Sequence, residues 1–230
     1  MFKIRSYTKE LLDQENIPEQ DLFLNLRELD VINHLLGGYE ITFSALNQLI
    51  TPNKIYTLVD IGCGGGNTLK RINSWRYKNG YKINLFGVDI KAVCVKYAKN
   101  ENSGNTIKFI CDDYKNVYNH VPQIDILHAC LFCHHLLEEE IVELIKFANQ
   151  NKSTLVINDL ERNPIAYYAI KLLTKLFSKS YLVKNDAPLS VLRGFTKREW
   201  QAIVQSAGVT HYSIKYKWAF RHQVIVYAGT

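Results

Sequence analysis

Val59-Asp60-Ile61-Gly62-Cys63-Gly64-Gly65-Gly66-Asn67 is the stretch on which the fold is decided. It follows an apolar, strand-like run, Ile55–Ile61, and leads into a segment of helical character from Asn67. Glycine is required where a chain reverses tightly and a ligand lies against bare backbone. A dinucleotide would place its pyrophosphate in such a turn, at the positive end of the helix. Asp60, two positions before the first glycine, spoils that reading because its carboxylate repels phosphate. The turn suits a ligand carrying positive charge at this point, such as an ammonium or a sulfonium.

Outward from the turn, β-rich runs alternate with amphipathic stretches: Ile83–Val88, then Lys91–Lys99; Ile107–Cys111; Ile124–Phe132, then Glu138–Ala148; Thr154–Asn158. Such alternation predicts βαβ units and a mainly parallel sheet covered on both faces. Before Ile55 the leucines at 22, 26 and 29 and the pair Leu35-Leu36 read as helices punctuated by Gly37-Gly38. Asn163–Ser178 reads as an extra helix with Pro164 near its start, Lys179–Gly194 as loop, and Thr196 as the N-cap of a helix ending before Gly208. Tyr212–Tyr216 and Gln223–Tyr227 suit a terminal antiparallel pair. The expected architecture is one α/β domain over residues 1–230 with about seven strands. It comprises a helical cap over 1–50, a cofactor-binding core over 55–160, a substrate lid over 161–195 and a C-terminal helix and strand pair over 196–230.

S-adenosylmethionine fits the charge pattern of the turn, for it has an ammonium, a sulfonium, one carboxylate and no phosphate. A second acid is then expected at the end of the next strand for the ribose hydroxyls, and Asp89 stands there, followed by Ile90. A third is expected near the adenine, and Asp112 and Asp113 end the following strand. The series Asp60-x-Gly62-x-Gly64-x-Gly66, Asp89, Asp112 or Asp113 resembles the class I S-adenosylmethionine-dependent methyltransferases from Ile55 to the C-terminus. The resemblance implies a Rossmann-like seven-stranded sheet with the cofactor across its C-terminal strand ends. By that likeness Gly62, Cys63, Gly64 and Gly65 face the methionine moiety and Asp60 orients its ammonium. Asp89 with Ile90 takes the ribose, Asp112 or Asp113 reaches the adenine amine, and Cys130 adjoins the cofactor.

The fourth strand reads Asp125-Ile126-Leu127-His128-Ala129-Cys130-Leu131-Phe132-Cys133-His134-His135. Cys130-x-x-Cys133-His134 has the spacing of a c-type haem attachment, but a buried strand end offers no open loop for haem. A zinc site on the two cysteines and a histidine lacks a second ligand cluster, so no metal is expected. The strand ends beside the expected sulfonium, which puts His134 and His135 where an acceptor meets the methyl group. They read as catalytic bases, since imidazole takes a proton near neutral pH, or alternatively as helix-capping and packing groups.

The acceptor is read from what flanks the turn. The fourth strand ends without the Asn/Asp-Pro-Pro-aromatic loop that accompanies methylation of an exocyclic base amine. The stretch from Asp159 to Phe195, with Tyr167, Tyr168, Leu172, Leu173, Leu176 and Phe177, reads as an apolar lid over a flat small molecule or as a plain cover for the sheet. Together with Leu29–Gly38 it is similar to bacterial methyltransferases of the ubiquinone/menaquinone-biosynthesis type found beside type III polyketide synthases. That likeness implies a phenolic or quinol-like acceptor, with Asp186 and Arg193 lining its pocket. Arg27 and Asn33 are further candidates for the cofactor carboxylate or the acceptor. The expected reaction is O-methylation of a small phenolic compound, with ring C-methylation, or methylation of RNA or protein, as alternatives.

Composition agrees with this reading. Of 230 residues 47% are apolar and 22% charged, as in a globular chain with a core. Lys and Arg exceed Asp and Glu by 28 to 22, spread without a basic block, so no nucleic-acid partner is expected. No apolar run is long enough to span a bilayer and the opening residues lack a signal-peptide pattern. Five cysteines, an odd number, point to reduced thiols and a cytoplasmic location.

Overall fold

Seven strands form one sheet in the order β3-β2-β1-β4-β5-β7-β6. They are β1 (Ile55–Ile61), β2 (Lys82–Asp89), β3 (Ile107–Cys111), β4 (Ile126–Cys130), β5 (Thr154–Leu160), β6 (Tyr212–Lys217) and β7 (Arg221–Val226). The computed structural model describes residues 2–14, 16–102, 104 and 106–229. The first five strands are parallel, and β7 runs antiparallel between β5 and β6. Strand order reverses at β1, whose neighbours are β2 and β4, so the crevice above the C-terminal end of β1 is the place where such a sheet binds a ligand.

The helices are α1 (Glu19–Leu35), α2 (Gly38–Leu49), α3 (Asn67–Asn79), α4 (Ala92–Glu101), α5 (Val117–His120), α6 (Glu138–Gln150), α7 (Pro164–Phe177), α8 (Tyr181–Arg193) and α9 (Lys197–Ser206). Alternate residues of the strands feed two apolar layers. Val59, Ile61, Leu127, Leu155 and Ile157 pack with Ile141, Leu144 and Ile145 of α6 and Trp200 and Val204 of α9. Leu58, Leu85, Ile126 and Val156 pack on the opposite face with Ala45 and Leu46 of α2 and Leu69 and Ile72 of α3. Helix starts are set by side chains: the Asn163 carboxamide accepts from the N–H groups of Ile165 and Ala166 ahead of Pro164, and Thr196 and Glu199 make a reciprocal cap on α9.

Three features differ from the sequence expectation. Residues 181–193 are helix α8 and not loop, because Ser180 caps it and Pro188, which removes one backbone donor, is tolerated inside. Strand β4 stops at Cys130, and His134 and His135 stand on a single 3-10 turn, Cys133–His135, beyond it. Helix α7 turns Ile170 and Leu173 to the cavity below, whereas Tyr168, Leu172, Leu176 and Phe177 are exposed and Tyr167 packs edge-on against Phe2.

Candidate active site

The turn after β1 is wound by left-handed glycines. Gly62 and Gly64 have φ of 62° and 51°, a region that side-chain-bearing residues rarely enter. A Cβ on Gly62 would lie 2.2 Å from the Phe132 ring, so the position is closed to any larger residue. Asp89, at the tip of β2, fixes the turn: one carboxylate oxygen accepts from Gly64 N at 2.8 Å and the other from Lys91 N at 2.9 Å. Burial pushes the Asp89 carboxyl up, opposed by those two N–H groups. Asp112 is engaged by His120 at 2.6 Å and by Asn116, and the His120 contact draws its carboxyl down to about 2. Asp113 accepts from Lys115 N with one oxygen at 2.9 Å and lies in the cavity wall. Ile90 is 69% exposed yet belongs to the cavity wall, as do Cys63, Gly65 and Cys130; burial raises the Cys130 thiol to about 12, which makes it a wall and not a nucleophile.

Asp60, expected to orient a ligand's ammonium, is engaged by His128. It faces the α2 side of the sheet, is 2% exposed and is not part of the cavity wall. Its carboxylate pairs with His128 Nδ1 at 2.7 Å, His128 Nε2 meets Thr42 Oγ1 at 3.0 Å, and the Asn158 amide donates to Thr42 Oγ1 and Gly38 O. This buried chain anchors α2 beneath the turn. The register that pairs Asp60 with His128 across β1 and β4 is invisible in one sequence.

His134 and His135 meet carboxylates from three directions. His134 Nδ1 contacts Asp159 Oδ1 at 2.7 Å, and the His134 backbone N–H donates to Asp159 Oδ2. Burial alone would raise the Asp159 carboxyl, but His134 outweighs it and holds Asp159 below the usual range. His135 Nδ1 lies 3.3 Å from Asp13 Oδ1, and burial of Asp13 is likewise outweighed by His135. Glu10 faces the other nitrogen of each ring; burial pushes its carboxyl up, partly opposed by His135 and by the Ser190 hydroxyl, which donates to it at 2.7 Å. Glu10, Asp13 and Asp159 were not foreseen as site residues: nothing in the spacing links residue 10 to residue 134.

The two expected acceptor residues have other partners. Asp186 adjoins the cavity, but its oxygens accept from Leu11 N at 2.8 Å and Leu12 N at 2.9 Å, which pins the segment carrying Glu10 and Asp13. Arg193 does not reach the cavity wall; it donates to the carbonyls of His134, His135 and Thr8, and with Arg5 it holds the histidine turn in place. Arg27 is likewise outside the wall.

One cavity of about 660 Å³ is walled by the glycine turn, the tips of β2 and β3, the histidine turn, α1, the apolar face of α7 and a mixed face of α8 that includes Asp186 and Ser190. Asn25 and Asn33 of α1 face it while buried, at 1% and 5% exposure. Among the described residues, both amide atoms of Asn25 and the carbonyl oxygen of Asn33 lack hydrogen-bond partners. Buried amides are rarely left so. Arg221 also lines the cavity; buried at 3% exposure, it reaches Asn158 Oδ1 at 3.4 Å.

Residues 58–166 match the family model described as a methyltransferase domain. No curated protein matches the chain. Among solved structures, the plantazolicin methyltransferase BpumL in complex with SAH is 19% identical with a TM-score of 0.63, over 90% of this chain and 88% of its own. Human N-acetylserotonin methyltransferase in complex with SAM is 20% identical with a TM-score of 0.61, over 93% of this chain and 57% of its own. The CurJ carbon methyltransferase is 13% identical with a TM-score of 0.57, over 82% of this chain and 52% of its own. Residues 58–166 thus match a methyltransferase domain, and the chain shares the fold of these methyltransferases. No helix among the described residues is long and apolar enough to cross a membrane.

Proposed function

We propose that this S-adenosylmethionine-dependent methyltransferase acts on the oxygen of a small, largely apolar phenolic compound. The residues present fit the cofactor. The glycine turn offers bare backbone, Asp89 retains lone pairs for ribose hydroxyls, Asp113 has an oxygen for the adenine amine, and Asn25 and Asn33 supply unpaired amides. The bound cofactor supplies an electrophilic methyl group. The chain's own residues align the acceptor and manage its proton.

The observation that carries the acceptor reading is the pairing, on one cavity, of an apolar α7 wall with a buried histidine held by a carboxylate. A phenol with a pKa of about 10 is a weak nucleophile at neutral pH. With Nδ1–H donated to Asp159, His134 presents Nε2 as a proton acceptor, and Asp159 stabilises the imidazolium that results. Arg221 adds positive charge to the same cavity, where a phenolate gathers negative charge. Alignment of oxygen, methyl and sulfur contributes independently of the base.

Incubation with a panel of phenols and cofactor carrying a ¹³C-methyl group tests the reading, with the product examined by NMR. A methoxy carbon is the expected signal. A ring-methyl carbon would transfer the proposal to C-methylation, and label found only in RNA or protein from a lysate would contradict the small-molecule acceptor.

The unpaired amide gives a separate expectation. Asn25→Leu removes a buried donor and acceptor that have no partner among the described residues, so it stabilises the free chain by about 1 kcal/mol or more. The same change weakens S-adenosylhomocysteine binding roughly tenfold, one lost hydrogen bond. Thermal unfolding and calorimetric titration read the two effects; a variant less stable than wild type with unchanged affinity would contradict them.

A further inference from the structure

Glu10, His134 and His135 each place one ligand atom within 4.8 Å of the others, at the wall of the cavity. Glu10 Oε1 lies 3.7 Å from His134 Nε2, and Glu10 Oε2 lies 3.8 Å from His135 Nε2. Those separations are too long for hydrogen bonds. Two ligands about 2.0–2.1 Å from a tetrahedral ion sit roughly 3.4 Å from each other, so the three donors, all within 4.8 Å of one another, have to draw together to take up an ion.

The surroundings point the same way. The far nitrogen of each ring faces a carboxylate, Asp159 at 2.7 Å for His134 and Asp13 at 3.3 Å for His135. This is the arrangement that fixes the tautomer of metal-binding histidines and raises their basicity. Asp186 and Ser190 hold the segment and the carboxylate in place. The carboxylates of Glu10, Asp13, Asp159 and Asp186 gather here, with Arg5 paired to Glu138 at 3.2 Å and Lys91 Nζ donating to the Leu12 and Gln14 carbonyls. The guanidiniums of Arg5 and Arg193 donate to backbone carbonyls, and Arg193 Nε stays 3.9 Å from Glu10 Oε1.

We propose that Glu10, His134 and His135 bind a divalent transition-metal ion, zinc by the character of two imidazoles and one carboxylate. The sequence expectation of no metal weighed only Cys130 and Cys133 with His134, and Glu10 enters the cluster through the fold. The chemistry given to the ion rests on the phenolic reading above; its binding does not. An acceptor hydroxyl that coordinates the ion loses its proton to water, and the oxygen then attacks the methyl carbon. The C–O bond forms as the C–S bond breaks, the bonding pair stays on sulfur, and the products are methyl ether, demethylated cofactor and one proton. His134 and His135 are then ligands, and the ion assumes the task of the base.

The test titrates Zn²⁺ into chelator-treated full-length protein by calorimetry and follows Co²⁺ by its absorption spectrum. One equivalent of Zn²⁺ is expected, with a Co²⁺ spectrum lacking the intense near-ultraviolet thiolate band. Glu10→Gln is expected to weaken Zn²⁺ at least 100-fold while S-adenosylhomocysteine affinity stays within a few-fold, which certifies a folded cavity. His135→Asn, at a half-buried position, gives the same reading if Glu10→Gln fails to fold. Absence of stoichiometric Zn²⁺, equal affinity in the variants, or a thiolate band from the cysteines would overturn the site. Such a failure, with cofactor binding intact, leaves His134 as the base, so it is distinguishable from failure of the phenolic reading.

Discussion

Alanine at position 89 is expected to weaken S-adenosylhomocysteine binding about 100-fold. Hydrogen bonds to a charged group contribute about 1.5–3 kcal/mol each, and Asp89 has lone pairs for two ribose hydroxyls, so a loss of about 3 kcal/mol, or roughly 100-fold, follows. The substitution also takes the acceptor from Gly64 N and slackens the glycine turn. Asp89→Asn keeps one carbonyl acceptor and is expected to fall between wild type and alanine. Calorimetric titration decides the matter, and unchanged affinity in Asp89→Ala would remove the turn and strand tips from the cofactor site.

The second large effect is on turnover. His134→Asn is expected to reduce kcat by roughly 100-fold or more, the range of a positioned proton acceptor, with cofactor affinity within a few-fold of wild type. Asparagine is chosen because its amide still donates toward Asp159. Alanine would strand a fully buried carboxylate and destabilise the fold by about 3–5 kcal/mol, confounding rate with folding. His135→Ala, at a half-buried position without a tight carboxylate bond, is expected to act more weakly on the metal-free enzyme. Equal rates in His134→Asn, His135→Ala and wild type would end the assignment. Both the base and the ion-ligand role need His134 Nε2, so the turnover loss is common to them and metal titration tells them apart.

The glycine turn and the acids at the strand tips were legible because their chemistry is local. A tight reversal needs glycine within a few residues, and a strand ends where its apolar run ends, which places Gly62, Gly64 and Asp89 from spacing alone. Asp60 was legible as a carboxylate but not in its partner: only pairing of β1 with β4 brings His128 to it, and pairing is a property of the sheet. Pro188 and Asn185-Asp186 look like loop, yet α8 forms because the Ser180 cap and the buried faces of Leu182, Val183 and Val191 outweigh one missing donor. The same helix lets Asp186 hold the backbone of residues 11 and 12, which carries Glu10 to the histidines over a separation of more than a hundred residues. Arg193 shows the converse, since an arginine near an expected pocket belongs to the scaffold once its carbonyl partners are seen.

The central claim is that the bend between β1 and α3, with the tips of β2 and β3, cradles an adenosyl sulfonium compound and presents it to the histidine turn. A crystal structure of the protein grown with S-adenosylhomocysteine measures this directly. The account predicts the amino-acid moiety against Gly62–Gly65, the ribose on Asp89, and the sulfur directed toward the space before His134. A ligand bound elsewhere, or a diphosphate occupying the bend in preference to it, would contradict the account.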